Sequence, residues 1–253
     1  MSLPRFFVDA SLAAGETVRL PADVEHHAAR VLRLRDGAPI VLFNGRGGEY
    51  AAALRLKGAA ALAQVEAFDP TERESPLRLT LVQALVAAEK LDWIVEKAVE
   101  LGVDRILVAS MQRCVVRLDA ARAARRLQHW AEVARAACCQ CGRNRVPPVD
   151  FFGSFGAMLS ALPAAGPRLL LLPGARQDLC PVVAGDRAAL IVGPEGGLAE
   201  SEIVQAAQAG FLAARLGPRV LRTETAGLAA LAALQAASGD MARADAPAAT
   251  NGS

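Results

Sequence analysis

Three breaks containing glycine and proline in the carboxy-terminal half constrain the fold most. Short apolar runs at residues 188–192 and 211–216 end at Gly193-Pro194 and Gly217-Pro218, and a run at residues 168–172 ends at Pro173-Gly174. Such runs are typical of strands buried on both faces of a parallel sheet. Helical patterns follow two of them, at residues 200–210 and 223–237, with Thr223 a candidate cap. The pattern predicts an α/β domain with a mostly parallel sheet.

The three loops are candidates for a ligand pocket. Open α/β sheets bind ligands beyond the carboxyl ends of parallel strands, and glycine lets the backbone approach a ligand closely. Ordinary turns of a doubly wound sheet explain the spacing equally well. The chain has neither a Gly-x-Gly-x-x-Gly dinucleotide fingerprint nor a P-loop, so neither motif accounts for the loops.

Composition limits the class of protein. The chain has 253 residues, of which 53% are hydrophobic, enough for one large domain or two modest ones. A net charge of +2 does not by itself indicate nucleic-acid binding. The first residues lack the pattern of a signal peptide, and charges, glycine and proline interrupt every long apolar stretch. We therefore expect a cytoplasmic protein without a membrane partner.

The five cysteines do not form a disulfide framework. Cys138 and Cys141 are spaced as a Cys-x-x-Cys pair, which can bind a metal or act in redox chemistry. A zinc site needs two more ligands, and the three histidines lack a matching spacing. We expect reduced thiols on a helix and no metal.

A polar segment bounded by prolines, residues 69–76, divides the chain. Before it, we predict a strand at residues 4–8, a helix at 21–34, a hairpin at 40–43 and 49–56, and a strand at 61–68, which together would make a small barrel. After it, a strand, a helix and a strand follow at residues 77–86, 89–101 and 105–109. The predicted domains are residues 1–72 and 73–240, and the small polar residues of 241–253 indicate a disordered tail.

Positive charge is concentrated in residues 113–145, where eight arginines face two acidic residues. Clustered cations favour a polyanion such as RNA, although a solvated helix face explains several of them equally well. Arg143, Asn144 and Arg145 follow the helix at Gly142, where we expect side chains free to point into a site.

Two motifs carry a family resemblance. Residues 193–198 (Gly-Pro-Glu-Gly-Gly-Leu) and 216–226 (Leu-Gly-Pro-Arg-Val-Leu-Arg-Thr-Glu-Thr-Ala) resemble the signature of SPOUT-class RNA methyltransferases, and of the RsmE family within that class. Further similar segments lie in the family's order at residues 4–7, 30–33, 73–76, 96–103 and 140–147. Gln112, Cys139 and residues 172–174 depart from the family pattern.

The resemblance implies an enzyme that methylates N3 of a uridine in 16S ribosomal RNA of the small subunit, with S-adenosylmethionine as cofactor. It also implies a carboxy-terminal SPOUT domain with a deep trefoil knot, an amino-terminal PUA-like domain that helps hold RNA, and an active site at a homodimer interface.

The resemblance also suggests roles for individual residues. Arg222 or Arg143 would stabilise negative charge on the uracil carbonyl oxygens, or bind phosphate; Asn144 would hydrogen-bond the uracil edge. Glu195 would orient an arginine or accept the proton, or would only cap loop amides. The expected cofactor contacts are Leu172, Gly193, Gly197, Leu216, Gly217, Val220, Leu221 and Arg222. The expected RNA contacts are Arg5, Arg30, Arg33, Arg113, Arg143 and Arg145, with Arg46 on the same basic face as the first three.

Two other functions fit parts of the sequence. A SPOUT enzyme acting on a ribose 2′-hydroxyl of transfer or ribosomal RNA would share the knot but not the PUA-like domain. A non-catalytic RNA-binding assembly factor would not need intact pocket loops.

Overall fold

The computed structural model describes residues 3–57, 60–162, 166–179 and 185–241. Cys180 and all but the first residue of the predicted tail, 241–253, lie outside these ranges. Contacts within the chain define two compact units. The first contains residues 1–74 and 135–146, and the second contains 75–134 and 147–253. The predicted domain boundary after residue 72 stays a prediction.

The first unit is built on a five-stranded sheet with the order β1-β3-β4-β5-β2. β1 pairs with β3 in parallel and the other pairs are antiparallel, so the predicted hairpin is confirmed as β3 and β4. Phe6, Leu42, Leu54 and Val65 are buried between these elements. The strands are β1 (Arg5–Phe7), β2 (Thr17–Arg19), β3 (Pro39–Phe43), β4 (Glu49–Lys57) and β5 (Ala60–Asp69).

The helix predicted at residues 21–34 is shorter and less regular than expected. Helix α1 (Ala22–His26) continues as a π-helical turn, His27–Val31. The amide of Leu32 donates to the carbonyl of His27 at 2.9 Å, a bond one residue wider than in an α-helix. The wider turn leaves Ala28 fully buried and Val31 exposed.

The second unit is built on a six-stranded sheet with the order β11-β9-β10-β6-β7-β8. All neighbouring strands pair in parallel, which confirms the predicted parallel sheet. Strand β6 is buried along almost its whole length, as expected when both faces are covered. The strands are β6 (Arg78–Ala84), β7 (Val103–Ala109), β8 (Val149–Phe152), β9 (Arg168–Leu171), β10 (Arg187–Val192) and β11 (Leu212–Ala214).

Helices alternate with these strands. They are α2 (Ala88–Glu100), α3 (Ala120–Cys141), α4 (Phe155–Ala161), α5 (Glu200–Gln208) and α6 (Thr223–Ser238). The Ser154 hydroxyl accepts a hydrogen bond from the amide of Ala157 and so caps α4. The α/β class is therefore confirmed, and the trefoil knot stays a prediction.

The sheet order brings the three predicted loops together. Because β9 lies between β10 and β11, the carboxyl ends of the three strands, Leu171, Val192 and Ala214, are adjacent. β11 is shorter than predicted, since Arg215 and Leu216 already belong to the following loop.

Candidate active site

A cavity of about 430 Å³ lies beyond the carboxyl ends of β9, β10 and β11. Its size suits a small organic ligand. All the predicted cofactor residues except Gly217 line it, and the residues from all three loops converge there. The predicted residues in the lining are Leu172, Gly193, Gly197, Leu216, Val220, Leu221 and Arg222.

Glycine is favoured at two points of this lining. A Cβ atom built on Gly193 would lie 3.1 Å from Cγ of Leu198, and Gly197 has φ +71°. A side chain at Gly193 would crowd the loop, and one at Gly197 would strain the backbone. At these two positions the loop that follows β10 therefore lines the cavity with backbone atoms alone.

Two hydrogen bonds of Thr223 join the loop after β10 to strand β6 beside the cavity. The Thr223 hydroxyl accepts from Nε2 of Gln83 at 2.9 Å and donates to the carbonyl of Gly193 at 2.7 Å. Both side chains are buried. The prediction that Thr223 caps α6 is wrong, since Arg222 occupies the cap position without a side-chain cap bond. Gln83 was not predicted, although a polar residue in a buried strand was a usable signal.

Lys90 of α2 is a second unpredicted residue at this site. Its Nζ lies 2.8 Å from Oε1 of Glu195 and 3.4 Å from Oε2 of Glu224. The hydrogen bond from Lys90, helped by the positive charges of Lys90 and Arg222, holds the pKa of Glu195 below its ordinary value. A carboxylate with a lowered pKa is a weaker base, which disfavours Glu195 as the proton acceptor.

Two arginines of the second unit, Arg222 and Arg113, lie at the loops that line the cavity. Arg222 is exposed at the cavity. Arg113 is also exposed, and its Nη1 donates to the carbonyl of Gly196 at 3.2 Å. This bond ties the segment after β7 to the loop after β10.

Arg143 and Asn144 are buried in the first unit. Their side chains are engaged there: Arg143 Nε donates to Oε2 of Glu74 at 3.0 Å, and Asn144 Nδ2 donates to the carbonyl of Thr71 at 2.7 Å. The residues are only 6% and 0% exposed. The expectation that these side chains are free to point into a site is wrong, because the segment before Ser75 supplies acceptors for them.

Arg5 joins the same buried network. It pairs with Glu49 and donates from Nη2 to Oδ1 of Asn144 at 2.6 Å. Its side chain is 11% exposed, so Arg5 does not share the exposure of Arg30, Arg33 and Arg46. Arg145, in contrast, is exposed and pairs with Glu72 at 3.2 Å.

Cys138 and Cys139, near the end of α3, are thiols that ionise less readily than an exposed cysteine. Burial raises the pKa of Cys138 to about 12 and also raises the pKa of Cys139. Within the described parts of the chain, no group of three or more His, Cys, Asp or Glu residues could hold a metal ion. In the same residues, no helix is both long and apolar enough to span a bilayer.

Family models match both parts of the chain. An RNA methyltransferase domain matches residues 73–235, and an RNA methyltransferase PUA domain matches residues 20–56. Ribosomal RNA small subunit methyltransferase E of Mycobacterium tuberculosis is 36% identical over 240 residues, covering 90% of each chain.

Two solved structures have similar folds. Ribosomal RNA small subunit methyltransferase E of Neisseria gonorrhoeae, bound to S-adenosyl methionine, is 40% identical, with a TM-score of 0.86 and coverage of 94% of this chain and 99% of that one. A methyltransferase from Legionella pneumophila, in complex with the bound cofactor SAM, is 33% identical, with a TM-score of 0.89 and coverage of 95% and 100%.

Proposed function

This chain belongs to the family of ribosomal RNA small subunit methyltransferase E, and on that premise we propose that it methylates small-subunit ribosomal RNA with S-adenosylmethionine as cofactor. The observation that carries the proposal is the cavity of about 430 Å³ at the meeting point of the three loops. Within this activity, we propose N3 of a uridine in 16S ribosomal RNA as the methylated atom.

The cavity lining fits the cofactor. Gly193 and Gly197 line the cavity with backbone atoms, and backbone groups of these loops would suit the adenine and amino-acid ends of the molecule. Apolar lining from Leu172, Leu216 and Leu221 suits the adenine and ribose faces. When bound, S-adenosylmethionine supplies a methyl group on a sulfonium.

The residues of the chain would act mainly by alignment and electrostatics. In-line displacement is fast when the nucleophile and methyl group are held in line and water is excluded. The guanidinium of Arg222, exposed at the cavity, would stabilise the negative charge that forms on the uracil carbonyl oxygens as the N3 proton leaves. Glu195, paired with Lys90, would hold the loop after β10 in place and orient the cationic groups of Lys90 and Arg222.

The roles of the remaining residues stay predictions. The buried contacts of Arg5, Arg143 and Asn144 favour a structural role in the first unit. Arg30, Arg33, Arg113 and Arg145 are exposed and available to RNA. We further propose that the protein works as a homodimer in the cytoplasm.

The test uses labelled S-adenosylmethionine and small ribosomal subunits from cells that lack the activity. We expect the label at one uridine, and nuclease digestion with mass spectrometry should place it on N3. Label on a ribose oxygen, or on transfer RNA only, would instead support the 2′-O-methyltransferase. Calorimetry that detects no cofactor binding would support the non-catalytic assembly factor.

A further inference from the structure

The second unit contains another cavity, of about 420 Å³, that the proposed chemistry does not use. It lies beyond the carboxyl ends of β7 and β8, since Ser110 follows β7 and Gly153 and Ser154 follow β8. Residues of α4 and α5 complete its lining, and among the described residues the two cavities share none. Its volume is close to that of the proposed cofactor cavity, so it is large enough for a small organic ligand.

Two glycines of this lining are required neither by the backbone nor by packing. Neither Gly153 nor Gly156 has a positive φ. A Cβ atom built on Gly153 meets no atom within 4 Å, and one built on Gly156 lies 3.9 Å from Oε1 of Gln205, an ordinary contact. Gly156 lies within α4, where alanine would be more favourable by about 1 kcal/mol. The chain therefore leaves space here that a larger side chain could fill without strain, which is expected where a ligand needs the space.

The lining combines an apolar wall with polar groups that have no partner. Met111 and Phe155 are buried and supply the wall. Among the residues that the structure describes, the Ser110 hydroxyl and the Gln205 amide make no hydrogen bond. An aromatic ring beside a free amide and a free hydroxyl suits a planar ligand with polar edge groups, and a nucleobase is such a ligand.

Arg117 supplies a fixed positive charge at this cavity. Its Nη1 donates to the carbonyl of Met111 at 2.9 Å, and its Nη2 donates to the carbonyl of Gln112 at 2.8 Å. A guanidinium has five N–H donors, so donors remain for a phosphate. Glu202, the one carboxylate among the described lining residues, is buried, and its two oxygens accept from the amides of Gln112 and Ala199.

The two cavities lie at the same edge of the sheet. All six strands are parallel, and only β6 separates β10 from β7, which places these strands about 10 Å apart. The segment after β7 contacts both regions: Gln112 lines the second cavity, and Arg113 donates to the carbonyl of Gly196 in the loop after β10. An RNA whose target nucleotide enters the first cavity therefore brings neighbouring nucleotides to this edge.

We propose that the second cavity binds one nucleotide that neighbours the methylated one in the RNA, with its base against Phe155 and Gln205 and its phosphate at Arg117. The proposal rests on the proposed function and deepens it, because the second cavity would read the sequence around the target. The neighbouring base must be unpaired to enter such a cavity.

Gly153→Leu tests the site by filling it. Because the position is open and its φ is not positive, the variant should keep the thermal transition and the S-adenosylmethionine affinity of the wild type. Its kcat/KM for small ribosomal subunits from cells that lack the activity should fall by about 10- to 100-fold, since one stacked base contributes roughly that factor to binding. Ala157→Leu is the matched control, because Ala157 is exposed on α4 and lies outside the lining.

Gln205→Ala tests recognition without filling the cavity. Because the Gln205 amide has no partner within the described protein, its removal should leave stability unchanged. The kcat/KM should fall by about threefold to tenfold, since one hydrogen bond to the base is lost. Gln208→Ala, an exposed glutamine of the same helix, is the control. This variant decides the matter if Gly153→Leu fails to fold.

Removal of RNA bases identifies the bound nucleotide. Small subunits are assembled with transcripts in which each neighbour of the methylated uridine is abasic in turn. At one position, loss of the base should lower the kcat/KM of the wild type about as much as Gly153→Leu does, and it should lower that of the variant little further.

Three outcomes would overturn the role of the second cavity. These are rates in Gly153→Leu and Gln205→Ala equal to that of the wild type, independent effects of the variant and the abasic position at every neighbour, and a changed oligomeric state of Gly153→Leu in sedimentation, which would assign the cavity to a contact with a second copy. Methylation by the wild type in any of these cases leaves the proposed function intact. A wild type that methylates no uridine overturns both proposals.

Discussion

Arg222 is the residue on which the proposed chemistry depends most. Its guanidinium lies at the cavity, and its positive charge contributes to the lowered pKa of Glu195. The motif predicted that this arginine lies at the cavity. It did not predict Lys90, which is 105 residues from Glu195 in sequence, because no local pattern encodes a contact between such distant positions.

We predict that Arg222→Ala lowers the methyl-transfer rate at saturating cofactor by about 10²- to 10³-fold, since one donor to developing negative charge is lost. The affinity for S-adenosylmethionine should change little, because the proposed cofactor contacts of this loop are backbone groups. Single-turnover kinetics and calorimetry measure the two quantities. Arg176→Ala is the control, and an unchanged rate in Arg222→Ala would show that the role is misassigned.

Cys138 gives a prediction about alkaline pH. Burial raises the pKa of its thiol from the ordinary value of 9.0 to about 12 in the folded protein. The pKa of this thiol is higher in the folded state than in the unfolded state. Its contribution to the free energy of unfolding is therefore complete below pH 9 and is lost as the pH rises from 9 towards 12. This group alone should reduce the free energy of unfolding by at most about 1.4 kcal/mol per pH unit in that window.

Urea unfolding at pH 8, 9.5 and 10.5 measures this loss. The wild type should lose more stability over the series than Cys138→Ala, which lacks the ionising group. Cys141→Ala, at a less buried position, should follow the wild type. Parallel losses in the wild type and Cys138→Ala would contradict the assignment.

At the scale of elements, helix α6 is joined to the loop after β10 through Thr223. A threonine at the start of a helix is typical of a cap, so the sequence predicted a local capping hydrogen bond for Thr223. The actual partners, Gly193 and Gln83, are 30 and 140 residues away, and the buried site favours those bonds over a cap.

Continuous apolar runs indicate buried strands, so the strands β6, β7, β9 and β10 were predictable. The short strands β2 and β8 were not, since three or four residues carry too little periodicity.

We predict that Thr223→Val destabilises the protein by about 1–3 kcal/mol, because the Gly193 carbonyl loses its side-chain donor and the Gln83 amide loses one of its two acceptors in a buried place. The affinity for S-adenosylmethionine should fall as well, since the Gly193 loop loses its anchor. Thr225→Val is the matched control, because Thr225 is exposed on the same helix. Chemical denaturation and calorimetry measure both effects, and equal behaviour of the two variants would argue against the anchoring role.

At the scale of the whole molecule, the first unit is discontinuous in sequence. It includes residues 135–146 as well as 1–74, whereas the linker-like composition of residues 69–76 predicted a boundary there and nothing beyond it. Residues 135–146, which this prediction left out of the first unit, contain Arg143, which hydrogen-bonds Glu74, and Asn144, which hydrogen-bonds Thr71 and Arg5. Contacts across about 70 residues leave no trace in local composition, so the sequence could not assign this segment.

These contacts predict the behaviour of a truncated chain. Residues 1–74 alone should lack a cooperative thermal transition, because the buried Arg5 loses Asn144 and the backbone acceptors of residues 142 and 143, and a buried polar group without a partner is costly. Joining residues 135–146 to residue 74 through a glycine-serine linker should restore the transition, as followed by circular dichroism. A cooperative transition of the 1–74 fragment within a few degrees of that of the linked chain would show that the first 74 residues fold independently and that the second segment only rests on them.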